Sequence, residues 1–421
     1  MTRADLSDLA FWARPRPERE AVFAALRDRD APVFFPELKL PFLRTGRGYW
    51  ALVRHADVVE ASRRPDVFSS EPTATGIADM PRYFARYFGS MINMDDPRHA
   101  KIRRIVSRAF TPRVLAKLET DLAATATAIV DDLLARGPGD FVGRVAARLP
   151  LQVICDMMGV PERDRPMVYD RTNRILGIGD PDFTGGREFA SAGLSRSAVL
   201  YGLAAAMTAG FELNHLAMRL ARRRRREPAD DLMSALVAAE IDGESLTDQE
   251  IGSFFILLVV AGNETTRNAL THGLRLLTAN PEQRALLLDD FDGRVAGAVE
   301  EIVRVATPVI QFRRTLTRDH AMNGHRYRAG DKVLLFYNSA NRDASVFPDP
   351  DAFDITRSPN PHVGFGGPGP HFCLGANLAR REITVMFREL FARVPDIRAE
   401  GPPSWLYSNF LNGIKRQDCA F

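Results

Sequence analysis

Three stretches of the chain hold residue types that can do chemistry. The first is "GFGGPGPHFCLG", Gly364 to Gly375, which carries Cys373 near its end. Glycines 364, 366, 367 and 369 let the backbone approach a flat ligand, and prolines 368 and 370 stiffen the loop. The sequence from Cys373 onward, "CLGANLARREITVMFREL", has a helical pattern, so the cysteine is expected to open a helix. Backbone N–H groups and the positive end of a helix stabilise a thiolate, which is a soft metal ligand. Zinc suits the loop poorly, because it wants three or four protein ligands and the sequence has no Cys-x-x-Cys or paired His–Cys cluster. A cysteine nucleophile served by His371 lacks an orienting third group. A single-cysteine haem thiolate fits best, with Gly375 leaving room beside the ligand plane.

The second stretch is "VVAGNETTRNAL". It lies in the middle of a strongly apolar helical pattern, where Gly262, Asn263, Glu264, Thr265 and Thr266 are poor choices unless they have partners or a purpose. The third group is dispersed. "EEIVR" holds Glu301 and Arg304 at i, i+3 spacing, "DDPRHAKIRRIVSRAF" puts His99 and Arg103 one helical turn apart, and "FRRTLTRD" supplies two further arginines.

These residues need a scaffold. Thr247 and Glu250 in "SLTDQE" read as a capping box, and the helix they start runs to Asn280 and Pro281. That is about 30 residues, or ~45 Å at 1.5 Å per residue, so the helix must cross the body of the protein. "PERDRPMVYDRTNRIL", "LSRSAVLYGLAAAMTAGFELNHLAMRLARRRRRE" and "PEQRALLL" also read as helices, while "YWALVRH" and "RYRAGDKVLLFYNSA" read as strands. The expected fold is mainly α with minor β-sheets, one domain over 1–421.

Composition narrows the function. Apolar residues make up 45% of 421 positions and the formal net charge is only +3, which gives no global signal for nucleic acid or membrane. The arginine run Arg222 to Arg226 follows a helix and lacks interleaved aromatics, so it reads as a solvated helix end. Three cysteines (Cys155, Cys373, Cys419) make no disulfide framework. The longest apolar run, "FFILLVVA", falls far short of the roughly 20 residues a span requires. The N-terminus lacks the apolar core of a signal peptide, and a cytoplasmic protein without a stable membrane anchor is expected.

Taken together, the motifs resemble the cytochrome P450 family. The loop is similar to Phe-Gly-x-Gly-x-His-x-Cys-x-Gly: His371, Gly369 and Gly367 keep register with Cys373, but Phe365 falls one residue early, so the loop carries an insertion. "AGNETT" resembles the oxygen-activation motif through Ala261, Gly262, Glu264 and Thr265, and "EEIVR" the buried E-x-x-R lock. The family's usual third partner, an arginine in P-x-R-F, is Ala352 in "PDAF". The resemblance implies a P450 fold, haem b ligated by Cys373, and propionates held by His99, Arg103, Arg314 (rather than Arg313) and His371. Phe365, Gly367 and Gly375 would complete the haem-binding loop. It also implies monooxygenation, in which one atom of O2 enters a C–H bond and the other leaves as water. Gly262 would let the helix pass close to O2. The Thr265 hydroxyl would bond back to the carbonyl four residues earlier and loosen the helix, and Glu264 would relay protons, pair with an arginine, or both.

The chain has no room for a fused reductase, so a separate ferredoxin with its ferredoxin reductase is implied. Lys101, Arg104, Arg108 and Arg113 could face it. Phe255, Leu258, Val259, Val309, Ile310, Phe410 and Leu411 are candidate lining residues of an apolar substrate pocket. The segment 68–94 is expected to form a loop over that pocket, with Phe84, Tyr87 and Phe88 along an access channel. Longer stretches look like the actinobacterial methyl-branched-lipid ω-hydroxylases and their relatives, the cholesterol side-chain 26/27-hydroxylases. That implies oxidation of a terminal methyl on a branched lipid, isoprenoid or sterol side chain. Two alternatives stay open: a P450 acting on another apolar scaffold such as a steroid ring or polyketide, and a haem-thiolate lipid sensor without turnover.

Overall fold

The structure is a computed structural model, and it describes residues 5–37, 46–79, 85–107, 110, 119–177, 180, 182, 196–241 and 243–421. Its first elements are α1 (Arg16–Arg27), β1 (Val33–Phe35), β2 (Tyr49–Leu52), α2 (His55–Arg63), β3 (Phe68–Ser69) and α3 (Ala85–Phe88). Among the helices that follow are α4 (Arg98–Ser107), α5 (Arg148–Met157), α6 (Arg165–Leu176), α7 (Arg196–Arg226) and α8 (Asp248–Ala279). The chain continues with α9 (Phe291–Ala306), β4 (Gln311–Leu316), β5 (Lys332–Phe336), α10 (Ala376–Arg393), β6 (Arg398–Trp405) and β7 (Ile414–Ala420). One sheet has the order β1-β2-β5-β4-β3, with β5 parallel to β2 and the other pairs antiparallel. A smaller sheet pairs β6 with β7 and then Gly139–Asp140.

The long helix α8 organises the rest. Its capping box is formed as expected: the Glu250 N–H donates to Thr247 Oγ1 at 3.2 Å, and the Thr247 N–H donates to Glu250 Oε2 at 2.9 Å. It stops at Asn280, ahead of Pro281. Three glycines set where neighbours cross it. A Cβ on Gly252 would lie 2.1 Å from Asn214 of α7, one on Gly262 would lie 3.3 Å from Ile154 of α5, and one on Gly273 would lie 2.7 Å from Phe387 of α10. Gly262 therefore eases a close helix–helix crossing, a role that the expected approach to O2 had not anticipated.

Strand alternation sorts the two arginines of β4. Arg313 turns toward Asp79, 2.8 Å away, while Arg314 turns to the opposite face, toward His371. Two sequence expectations are corrected at element ends. Tyr337–Ala340 is a helical turn rather than a continuation of the strand, and α10 begins at Ala376, three residues after Cys373.

The Glu301–Arg304 pair is completely buried. Arg304 donates to both carboxylate oxygens, at 2.8 and 2.7 Å, and to the carbonyls of Asn341, Pro350 and Ala352. Ala352 contributes only its carbonyl; the missing third partner is replaced by Arg357, whose Nε lies 3.3 Å from Glu301. The Asp354 N–H and Asn360 Nδ2 donate to the same carboxylate at 3.0 Å each. Removing one partner of such a pair strands a buried charge. Arg304→Ala is thus expected to cost about 3–5 kcal/mol in a urea titration followed by circular dichroism, and Arg357→Ala clearly less, since three of the four donor groups remain.

Candidate active site

Cys373 sits where the loop meets α10. Cys155 and Cys419 are buried, whereas Cys373 is exposed. Its N–H donates to the Phe365 carbonyl at 2.9 Å, so the extra loop residue does not break the link between these two positions. The thiol lies in a recess whose walls push its pKa up, while a Gly375 N–H and the charges of Arg103 and Arg380 pull it down. A Cβ on Gly375 would meet nothing within 4 Å. Three other glycines of the loop serve packing within the protein. A Cβ on Gly367 would strike Ser62 Oγ at 2.4 Å, one on Gly369 the Ser62 carbonyl at 2.1 Å, and one on Gly364 the Val303 side chain at 2.6 Å. Gly367 therefore lets the loop lie on α2.

Beside the cysteine the fold gathers cations. The His99 and His371 rings lie 4.2 Å apart, and His371 Nε2 is 3.0 Å from Ser70 Oγ. Arg103 donates to the Phe372 carbonyl at 2.6 Å, and the buried Arg314 donates to the Arg313 carbonyl at 2.8 Å. Burial, followed by the charges of Arg314, His99 and Arg103, pushes His371 down to about 2. Burial also lowers His99, Arg103 and Arg314. His99 Nε2 is buried without a hydrogen-bond partner among the described residues. Two arginines beside two histidines, with an unpartnered ring nitrogen among them, make a site for a group bearing two negative charges.

The centre of α8 carries the second group of candidate residues. Ala261 is exposed and Thr265 half-exposed, whereas Asn263, Glu264 and Thr266 are buried. The Thr265 hydroxyl donates to the Ala261 carbonyl at 2.7 Å, the back-bond expected from sequence, although the helix stays continuous through it. Glu264 pairs through Oε2 with Arg267 of its own helix, and Arg267 reaches Asn173 of α6 at 3.0 Å. Oε1 of Glu264 is buried without a partner among the described residues, and burial raises its carboxyl pKa against the pull of Arg267.

A cytochrome P450 family model matches residues 208–393. The methyl-branched lipid omega-hydroxylase of Mycobacterium tuberculosis is 51% identical over 98% of this chain and 93% of its own. The chain belongs to the cytochrome P450 family. A steroid C26-monooxygenase of Mycolicibacterium smegmatis is 42% identical over 88% of this chain and 82% of its own. The solved structure of a Mycobacterium marinum cytochrome P450 in complex with pseudoionone superposes with a TM-score of 0.93 at 43% identity, covering 99% and 98% of the two chains. The protein is a P450 monooxygenase with the mainly α P450 fold, and its family uses haem held by a cysteine thiolate. The described residues fit that group: an accessible cysteine, open space at Gly375, and an orphaned histidine nitrogen among cations suited to two propionates.

The pocket candidates divide by face. Phe255 and Val259 are fully buried core and Leu258 nearly so, because α8 turns Leu257, Val260, Ala261 and Thr265 to the accessible side. Backbone bonds tie the C-terminal turn to the segment after α9: the Ile310 N–H donates to the Phe410 carbonyl at 2.7 Å, and Val309 bridges Leu411. Val309, Phe312 and Phe410 are half-buried, with the two phenyl rings 5.6 Å apart, while Ile310 and Leu411 alternate into the interior. Five of the seven candidates are therefore buried, and Leu257 and Val260 join Val309, Phe312 and Phe410 on the accessible side. In 68–94, Tyr87 and Phe88 of α3 pack near Gly210 of α7; Phe84 lies outside the described residues. Arg104 is exposed, whereas Arg108 and Arg113 fall outside the described residues. The arginine run is largely ion-paired, through Arg223–Glu227, Arg224–Asp231 and Arg225–Asp248.

Sequence reasoning missed Ser70, which carries no motif, and Glu382, nine positions beyond the cysteine. Glu382 is buried with a hydrogen bond to Thr266, and burial pushes its carboxyl up to about 8. Its ordinary value is 4.5, so the folded state holds the proton more tightly and stability falls as pH rises from there through about 8. Glu382→Gln removes this dependence. Its melting temperature relative to the native protein should rise steadily from pH 5 to pH 8, whereas a constant difference would show that Glu382 does not titrate in that window.

Proposed function

We propose that this P450 hydroxylates the terminal methyl of a methyl-branched lipid. The observation that carries the reading is the 51% identity, over 98% of the chain, to a methyl-branched lipid omega-hydroxylase. The accessible side chains agree with it, since Leu257, Val260, Val309, Phe312 and Phe410 offer an apolar chain nothing to hydrogen-bond. A terminal C–H bond is stronger than an internal one, so shape must select the site by admitting the chain end-on. An isoprenoid or a sterol side chain presents the same kind of branched end, and the likeness to a steroid C26-monooxygenase supports including it.

In this reading Cys373 ligates the haem iron, while His99, Arg103, Arg314 and His371 hold the propionates. Bound haem supplies the chemistry that splits O2, placing one oxygen atom in a C–H bond and releasing the other as water. The protein handles protons and orientation. Thr265 donates its hydroxyl hydrogen to the Ala261 carbonyl, which leaves its oxygen free to accept from the site. Glu264 keeps one oxygen on Arg267, and its unpartnered Oε1 is the place where a proton is held for delivery. Two electrons per turnover come from a ferredoxin reduced by its reductase, and Arg104 belongs to the face that receives it. Among the described residues no helix is long and apolar enough to cross a membrane, and the reading places the enzyme in the cytoplasm.

The test is reconstitution with a ferredoxin, its reductase and NADPH on a methyl-branched fatty acid, an isoprenoid alcohol and a sterol. The expected product is the terminal alcohol; ring or mid-chain alcohols alone would sink the substrate assignment. Cys373→Ser should lose the thiolate-type Soret band of the reduced, carbon-monoxide-treated protein. Glu264→Gln should lower product formation by about 10² or more while the spectrum stays intact.

A further inference from the structure

Glu300, the first glutamate of "EEIVR", has no part in the buried lock formed by its neighbour. It reaches instead toward the cysteine loop. Arg380 of α10 grips it at both oxygens, Nε to Oε1 at 2.5 Å and Nη2 to Oε2 at 2.9 Å. His362 Nε2 lies 2.9 Å from Oε2, while its Nδ1 accepts the Gly364 N–H at 3.1 Å, which fixes the neutral tautomer with its hydrogen on Nε2. The Arg380 guanidinium lies over the Phe365 ring, 4.4 Å from its centre, and His362 flanks that ring at 5.9 Å. Phe365 is the residue whose carbonyl receives the Cys373 N–H.

We propose that Arg380, held in place by Glu300, is a positioning residue that sets the reduction potential of the Cys373-ligated iron and clamps the lengthened loop through Phe365. The proposal rests on the reading of Cys373 as the ligand. Arginine stays charged throughout the working pH range, so the device is a fixed positive charge rather than a switch. The guanidinium lies over the ring of the residue whose carbonyl holds the Cys373 N–H, which places its charge beside the ligand. A thiolate-ligated iron gains negative charge on reduction, so a nearby cation stabilises the reduced state and raises the potential. The bidentate grip keeps the guanidinium on the ring and stops it collapsing onto the sulfur. The one-residue insertion gives the clamp a purpose, because the loop has an extra residue to absorb between Phe365 and Cys373.

The experiment measures the midpoint potential by spectroelectrochemistry, with the carbon-monoxide difference spectrum as a second readout. Arg380→Ala and the milder Arg380→Gln remove the cation and should shift the potential negative. Glu300→Gln removes the opposing anion and should shift it positive. Arg380→Lys keeps the charge without the fork and should stay near the native potential. Arg381→Ala removes a charge one residue away and should move it far less than Arg380→Ala. A purely structural role would move the Arg380 and Glu300 variants in the same direction. Shifts of equal sign, no shift at all, an Arg381 effect as large as that of Arg380, or loss of the thiolate-type band in Arg380→Lys would each overturn the proposal. Failure of the underlying reading is separate and visible, since Cys373→Ser would then keep the native spectrum.

Discussion

One buried carboxylate governs how the cysteine loop reaches its place. Glu301 has no exposure, and an ion in that position is tolerated only when its oxygens are saturated with donors. Arg304 alone cannot saturate it, so the chain after β5 must fold back to bring Asp354, Arg357 and Asn360 within reach. Arg304 in turn needs acceptors, and it takes the carbonyls of Asn341, Pro350 and Ala352 from the same returning segment. Asn341 then spends its side chain on both sides, donating to Thr307 at 2.9 Å and accepting the Val363 N–H at 2.7 Å. Val363 leads directly into the loop. An unbroken run of polar contacts thus connects one helix carboxylate to the segment that carries Cys373, and each contact exists because leaving its atoms unpaired in the interior would cost more.

The rotation of α8 is set by a different kind of constraint. Gly252, Gly262 and Gly273 are each in contact with a different neighbour, and in each case a methyl group would crowd or clash. Three such contacts along one rod leave it no freedom to turn about its axis. The accessible face is then whatever remains, and it carries Leu257, Val260, Ala261 and Thr265. Glu264 lies one position away from that face and is buried by the same geometry, which is why it takes its counter-ion from its own helix at i+3 rather than from solvent. Which side chains of α8 are accessible and which are buried is therefore a consequence of how the glycines seat the helix.

Much of this was legible in the sequence where local rules dominate. The capping box of α8, its end at Asn280, the Thr265 back-bond and the buried E-x-x-R pair depend on residues close together in the chain. Strand alternation turns Arg314 toward His371 and Arg313 toward Asp79. What could not be read depends on rotation and on long-range return of the chain. Phe255 and Leu258 look as apolar as Leu257, and only the helix's setting separates core from lining. Arg357 replaces the expected third partner from a position that no spacing rule marks. The glycines of the cysteine loop were legible as glycines, but their reason was not: Gly367 and Gly369 answer to Ser62, roughly three hundred residues earlier, with which they share no local pattern.

The cation cluster links the scaffold to the cofactor energetically. Arg314 and His99 are buried, and burial with the charge of Arg314 drives His371 far below its ordinary pKa, so the ring stays neutral beside an arginine that has lost its water. Packing them together without a counter-charge works against folding, and the hydrogen bonds they do make, to carbonyls and to Ser70, offset only part of that. A dianionic group placed among them reverses the sign of the balance. Whatever binds there stabilises the folded chain in proportion to the logarithm of its concentration over its Kd, because the unfolded chain cannot assemble the four groups. The polar network behind Glu301 and the glycine contacts of α8 hold this unfavourable arrangement in readiness. Part of the stability of those two regions is thus committed to keeping a site that the chain alone would not choose.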